Sequence, residues 1–349
     1  MSLSIIIPIY KIEPYLRECL DSVAASPLDC WEAILVDDGS PDGCPQICDE
    51  YAGRDRRFRV IHQENGGVAA ARNAGLDAAQ GEWVWFVDTD DVVDMRYVED
   101  MMRWLRNNDN DTEQSSYDTL KLLNADATKT VDVHVDVHVN KKVDLVMFDL
   151  ETFKDGESIE CKSSQLQVVD EHLSKNDFLM KHACYHHPRL WYRRSQLRFT
   201  CGIKTGEDGE FMYKYLMRCK HPVRVLSTSY YYRIRQGSAT NSENSRAQVV
   251  KDTIQVLYNL LSYMKEHDIT LEPWLTIRLQ GTMKILLYSI YKSKQHHKKE
   301  MQRTIRHICN QYKYAGYHVF DSLLLRIARC SIPVYCLLLQ LNLRIKGLK

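Results

Sequence analysis

No GxGxxG follows the first apolar run of the 349-residue sequence, and GxxxxGK[ST] occurs nowhere in it. The first absence argues against a dinucleotide-binding dehydrogenase, and the second excludes a P-loop enzyme. No stretch approaches the roughly 18 apolar residues of a membrane span. The longest candidate, SIPVYCLLLQLNL (331–343), is short and broken by Pro333. The opening MSLSIIIPIY has no basic segment and meets Pro8 after a few apolar residues, so no signal peptide is expected there. The eleven cysteines form no framework, and the closest pair, Cys44 and Cys48 in CPQIC, has neither CxxC nor zinc spacing. Reduced thiols, and a cytoplasmic protein, are the expectation. Net charge is also absent, but only on the whole-chain average. From Lys292 onward twelve Lys or Arg face two acids, so the preceding chain carries a matching acidic excess. A basic, apolar end on an acidic body suits an anionic membrane surface rather than a nucleic-acid groove.

What is present begins as an alternation. SIIIPI (4–9), EAILVD (32–37), FRVIH (58–62) and EWVWFVD (82–88) are short, β-branched or aromatic runs. EPYLRECLDSVAAS, PQICDEYAG and VAAARNAGLDAAQ lie between them with helical spacing. The pattern predicts βαβ units on a parallel sheet, whose ligands bind beyond the carboxyl ends of the strands. Asp37, Asp38, Asp88, Asp90 and Asp91 all fall at such ends.

Residues 107–143 read as an insertion. The polar NNDNDTEQSSYD leads to VDVHVDVHVN (131–140), whose strict alternation suits a strand or hairpin arm. Its Asp132, His134, Asp136 and His138 line up without converging, so an edge ribbon suits them better than a metal site. Strand-like DLVMFDLETF (144–153) follows, then helical material near 170–183 and the aromatic, basic HHPRLWYRRSQLRF (186–199). After KTGEDGEFMYKYLMRC (204–219) and YYYRIRQGSAT (230–240), the chain reads as helices from Ser245 to its end.

Two stretches carry chemistry. In ILVDDGSPDG (34–43) an apolar strand stops at two acids; a carboxylate there can bind a base or ribose, or simply cap a turn. In WFVDTDD (85–91) the chain places three carboxylates within four positions against an apolar flank. Like charges so placed either surface into solvent or gather around a cation, and a hard divalent ion bridging to a diphosphate would relieve the repulsion. NGGVAAARNAG adds two glycines for a tight helix entry, with Arg72 near its start.

Taken together, IIIPIYKIEPYLRECLDSV, ILVDDGSPDG, VIHQENGGVAAARNAGLDAAQGEW, FVDTDD and GEDGEF resemble family 2 glycosyltransferases, nucleotide-sugar enzymes of the GT-A fold. The likeness is continuous over about residues 3–106 and looser over 144–240. It implies an α/β, Rossmann-like, mostly parallel sheet flanked by helices, with a helical C-terminal extension. The implied division is 1–106 for the nucleotide-sugar half, 107–143 for the insertion, 144–244 for the acceptor half and 245–349 for the helical region.

The resemblance also implies roles. Pro8, Ile9 and Tyr10 would line the base pocket with Glu13 nearby, Asp38 would bind the base, typically uracil, and Arg72 would lie near the nucleotide. Asp88 and Asp90 would form the DxD element, meeting ribose and a Mn²⁺ or Mg²⁺ ion, with Asp91 supporting the metal. Asp208, in GEDGEF, matches the catalytic base of inverting members, and Glu207 would shape the site or touch acceptor. Arg233, Arg235 and Ser238 sit where relatives carry a loop closing on the diphosphate. Trp191 and Arg193 either touch acceptor or, for the Trp, pack in the core. Lys11 stands where many relatives have Asn.

The expected activity is inverting, metal-dependent transfer from a nucleotide donor, typically UDP-linked, to a hydroxyl of a glycan or lipid-linked glycan in surface polysaccharide synthesis. Self-association is left open. The leucine-rich, cationic 320–349 either lies on the inner face of the cell membrane or packs on the protein. The cationic KSKQHHKKE (292–300) reads as a solvated face, its His296 and His297 flanked by repelling lysines. A nucleotidyltransferase is the rival enzyme class, but PIYKIEP lacks its Gly-rich basic loop. A non-catalytic sugar-nucleotide or membrane-binding module is the other rival, opposed by the complete acidic set at 38, 88, 90, 91 and 208.

Overall fold

The computed structural model describes residues 2–26, 29–109, 120–123, 130–133, 142–157, 159, 168–169, 173–182, 189–235, 243–292 and 298–314. It divides into two compact units, Met1–Arg198 with Cys219–Gln236, and Phe199–Arg218 with Gly237–Lys349.

The first unit opens with the predicted alternation: β1 (Leu3–Ile9), α1 (Glu13–Ala24), β2 (Trp31–Asp37), α2 (Cys44–Arg54), β3 (Phe58–His62), α3 (Val68–Ala78) and β4 (Trp83–Phe86). These strands lie parallel in the order β3-β2-β1-β4. β1 is buried at every position but Pro8, which is why its sequence is apolar without alternation. The register pairs Leu3 with Trp31 and Trp83, and Ile9 with Asp37. Parallel pairing in this register brings the chain after Ile9, Asp37 and Phe86 to one edge of the sheet. α3 lies tightly on β1. A Cβ on Gly75 would sit 2.3 Å from Ile6 Cγ2, so the close approach requires glycine there.

Beyond β4 the sheet becomes mixed. The chain adds β5 (Val92–Val93), a 3₁₀ turn at Met95–Tyr97, α4 (Val98–Asp109), β6 (Leu120–Leu123), β7 (Thr130–Val133), β8 (Leu145–Lys154), β9 (Val168–Val169), α5 (Lys175–His182), β10 (Arg189–Arg193) and β11 (Pro222–Ile234). β10 is antiparallel to both β4 and β8, β8 runs parallel to β11, and β5 and β9 pair antiparallel with β11. β6 and β7 form their own antiparallel ribbon, joining the alternating Val131 and Val133 to Leu122 and Leu120. The core between strands and helices is aromatic. Trp85 lies 5.6 Å from Trp191 and 6.2 Å from Tyr230 between ring centres, and Phe148 lies 4.9 Å from Trp191.

The second unit is helical in its described residues: α6 (Glu207–Arg218), α7 (Glu243–Glu266), α8 (Pro273–Lys292) and α9 (Lys298–Tyr314). Leu257, Leu260, Trp274, Leu279, Met283, Ile308 and Tyr312 are among its buried apolar residues. Tyr312 donates its hydroxyl proton to the Leu257 carbonyl at 2.6 Å, tying α9 to α7. Among the described residues no helix is long and apolar enough to cross a membrane. The cationic run's 293–297 and the leucine-rich 320–349 lie outside the described residues.

Candidate functional site

The carboxyl edge of β1, β2 and β4 is built by interlocking turns. After Ile9 the chain reverses through Lys11, which adopts φ 52°, a left-handed conformation that lysine rarely takes. Its amide donates to Ser40 Oγ at 2.7 Å, and Ser40 Oγ donates to Asp42 Oδ1 at 2.6 Å. Glu13 closes the turn from the other side, accepting from the Gly43 amide at 2.7 Å while its own amide donates to Asp42. Burial would raise the Asp42 carboxyl, but hydrogen bonds from Ser40, Cys44 and the Glu13 amide outweigh it and hold it at about 2. Glu13 is therefore fixed to the β2 turn, while Tyr10 is 43% exposed and presents a ring beside it.

The two acids ending β2 divide their work. Asp37, 3% exposed, accepts from the Ser40 amide and from His62 Nδ1 at 2.8 Å. His62 Nε2 meets Asp49 at 3.1 Å, and its hydrogen bond to Asp37 is the main cause of an elevated pKa. Asp38, 2% exposed, accepts from Gln63 Nε2 and the Gly66 amide through Oδ1 and from the Gly67 amide through Oδ2. Its carboxylate thus holds the Gln63–Gly67 loop and so sets the start of α3. Gly39, at φ 67°, lets that loop approach: a Cβ there would lie 3.0 Å from the Asn65 amide.

α3 carries Arg72 to the tip of β4. It is 8% exposed and donates through Nη2 to Asp88 Oδ1 at 2.9 Å. Thr89 Oγ1 then bonds the Pro8 carbonyl at 2.6 Å, lacing β4 to β1. Asp90 is the more accessible of the two carboxylates expected to bear on a metal, at 25% side-chain exposure against 1% for Asp91. Asp91 points inward, where Oδ2 accepts from the Tyr230 hydroxyl at 2.5 Å and Oδ1 from the Arg233 amide at 2.9 Å. The Tyr230 hydroxyl also accepts from the Asp88 amide at 3.1 Å. One buried phenol therefore positions both ends of Asp88-Thr89-Asp90-Asp91.

The end of β11 and the residue after it add two more cations. Arg233, 5% exposed, donates to the Asp90 carbonyl, to Asp155 and to Glu18, with the Phe153 and Tyr15 rings 4.5 and 5.1 Å away. Arg235 donates through Nε to Asp90 Oδ2 at 2.7 Å. Tyr15, against which Arg235 also lies, donates to Asp155 at 3.1 Å, and that bond raises its pKa. Ser238 lies outside the described residues. Trp191 is 1% exposed among Trp85 and Phe148, and Arg193 binds the Val143 carbonyl and Glu82.

In the second unit, Asp208 is exposed in the first turn of α6, its Oδ1 accepting only the neighbouring Gly209 amide among the bonds it makes, at 2.7 Å. Glu207 beside it is 8% exposed. The turn before α6 hangs on Asp252 of α7, whose Oδ2 accepts from the Lys204 and Thr205 amides and the Thr205 hydroxyl. Glu210, 1% exposed, bonds Thr200, Lys214 and Asn259. Glu210 is thus tied into its surroundings, Glu207 is buried, and Asp208 alone faces solvent among the three.

Tyr230, Glu18, Asp155 and Asp252 escape sequence reasoning. Their partners lie far along the chain, and the sequence offers only the hint that YYYRIR mixes rings and cations on one strand.

Acidic strand tips on a parallel half-sheet, continued by a mixed half, define a GT-A enzyme core. The fold is shared with S. aureus TarS 1–349 solved in complex with UDP-GlcNAc, with a TM-score of 0.61 at 19% identity over 96% of this chain and 89% of that one. Residues 4–124 match the model of glycosyl transferase family 2, and the chain belongs to that family. The putative glycosyltransferase EpsH of Bacillus subtilis is 46% identical over 102 residues, 29% of this chain and 30% of that protein. Glycosyltransferase GlyA of Streptococcus pneumoniae is 32% identical over 236 residues, 68% of this chain and 31% of that protein. The chain thus spans about a third of the length of these relatives.

Proposed function

We propose that the protein transfers a sugar from a nucleotide donor, UDP-linked, to a hydroxyl of a glycan or lipid-linked glycan in cell-wall or surface polysaccharide synthesis. The observation that carries this reading is the β4 tip. There Asp88 and Asp90, each paired with an arginine, stand partly exposed beside the Tyr10 and Asp38 turns. The match of residues 4–124 to the family supports it independently. So does the minor teichoic acid biosynthesis protein GgaB of Bacillus subtilis, 26% identical over 278 residues.

A divalent ion fits the donor set. Hard ions such as Mg²⁺ and Mn²⁺ are bound by one or two carboxylates together with phosphate oxygens. Asp90, with one oxygen on Arg235 and a quarter of its side chain exposed, and Asp88 are the residues that would hold it. When bound, the ion would offset charge on the departing diphosphate. Tyr10 would stack on the base, with Asp38 shaping the wall through the loop it holds. Arg72 would orient Asp88. Asp208 would take the acceptor proton, and attack opposite the leaving group would invert the anomeric centre.

Screening UDP-, GDP- and dTDP-sugars with Mn²⁺ against glycan and lipid-linked acceptors tests the reading, with nucleotide release expected for the UDP series. Asp208→Asn is expected to lower transfer by about 100-fold or more, the usual range for losing a general base, at unchanged UDP affinity. Full transfer by that variant would remove the base assignment.

A further inference from the structure

We propose that the Asp90–Arg235 ion pair makes divalent-ion binding conditional on the nucleotide diphosphate, so that ion and nucleotide bind cooperatively through Arg235. The inference rests on the reading above, in which Asp90 holds the ion beside the diphosphate.

Arg233, near the end of β11, and Arg235, just past that end, are used very differently. Arg233 is almost wholly buried, and all three of its guanidinium nitrogens are taken, by the Asp90 carbonyl, Asp155 and Glu18. It is scaffold. Arg235 has 30% of its side chain exposed and reaches Asp90 through Nε alone. Its two Nη groups make no hydrogen bond to any described residue, and the guanidinium lies 5.3 Å from the Tyr15 ring centre. Arg235 therefore neutralises Asp90 with one donor and keeps the two-pronged edge that matches phosphate oxygens bidentately.

The consequence is electrostatic. Without a nucleotide, the guanidinium beside Asp90 opposes any second cation approaching that carboxylate. A diphosphate offers the Nη edge a partner of higher charge, so the positive charge of Arg235 is answered there and Asp90 becomes a better ligand. Coupling of this kind is reciprocal: the factor by which the diphosphate tightens the ion is the factor by which the ion tightens the diphosphate.

Calorimetry on the full chain with UDP, in Mn²⁺ or in EDTA, measures that factor. For the wild type, Mn²⁺ is expected to tighten UDP by about tenfold or more, within the usual range of coupling between sites. Arg235→Gln is expected to lower the ratio by about threefold or more, leaving the part that direct contact of the ion with phosphate oxygens supplies, and to bind Mn²⁺ alone, followed by electron paramagnetic resonance, more tightly than the wild type. Arg235→Lys, which keeps the charge without the fork, is expected to leave binding of Mn²⁺ alone unchanged while lowering the ratio. An unchanged ratio in Arg235→Gln, or no gain in its affinity for Mn²⁺ alone, overturns the proposal. No UDP binding by the wild type would instead overturn the functional reading. UDP binding indifferent to Mn²⁺ would overturn the coupling and leave nucleotide binding standing.

Discussion

Lys11 holds a left-handed backbone that glycine or asparagine adopts more cheaply, because its Cβ crowds the following carbonyl. Only its amide is used by the turn, through Ser40, while its ammonium lies 5.1 Å from the Tyr10 ring centre. Lys11→Asn is therefore expected to stabilise the protein by roughly 1 kcal/mol, read as a higher urea midpoint at unchanged slope. His62 gives a pH-dependent counterpart. Hydrogen bonds to Asp37, and then Asp49, raise its pKa, although partial burial opposes them. The folded value lies above the unfolded one, so the stabilisation is complete below about pH 6.5 and is lost as pH rises through the folded pKa. The gap in denaturant midpoint between wild type and His62→Gln is expected to be wider at acid pH than at alkaline pH.

Packing of α3 on β1 decides whether Arg72 and Asp38 meet the same edge, and Gly75 is where that packing is closest. Gly75→Ala would gain up to about 1 kcal/mol of helix propensity. Against this stands a contact 2.3 Å from Ile6 Cγ2, inside a strand buried on both faces. Overpacking of this kind costs about 1–3 kcal/mol, so a net loss of stability is expected. Combined with Ile6→Ala, the loss should be smaller than the sum of the two single changes, and the cycle measures the contact. The elements themselves were unevenly legible. β1, β2 and β4 are legible because strands buried on both faces are short apolar runs between helices, and the half-exposed β3 because of its β-branched run. α4 carries a signal at Val98, Met101, Met102 and Leu105, but the polar stretch after it draws the insertion boundary, at 107, inside its last turn. β5 and β9 are two residues each, too short for any periodicity, and the antiparallel β10 hid inside a stretch read only as aromatic and basic.

At the scale of the whole molecule, sequence patterns located the acids and left their division of labour unread. FVDTDD places three carboxylates side by side, and nothing in the spacing separates Asp90, partly exposed on Arg235, from Asp91, buried against Tyr230. That distinction comes from β11, 139 residues further on. The same holds in the second unit, where GEDGEF offers three acids and Thr200, Lys214 and Asn259 claim one of them. The buried Asp91 has a further consequence for how the chain is made. Its two carboxylate oxygens accept from Tyr230 and Arg233, whereas the segment matching the family ends at residue 124. A buried carboxylate without donors is strongly unfavourable. During synthesis, then, the strand tip in the first third of the chain gains these two donors only after β11 has left the ribosome.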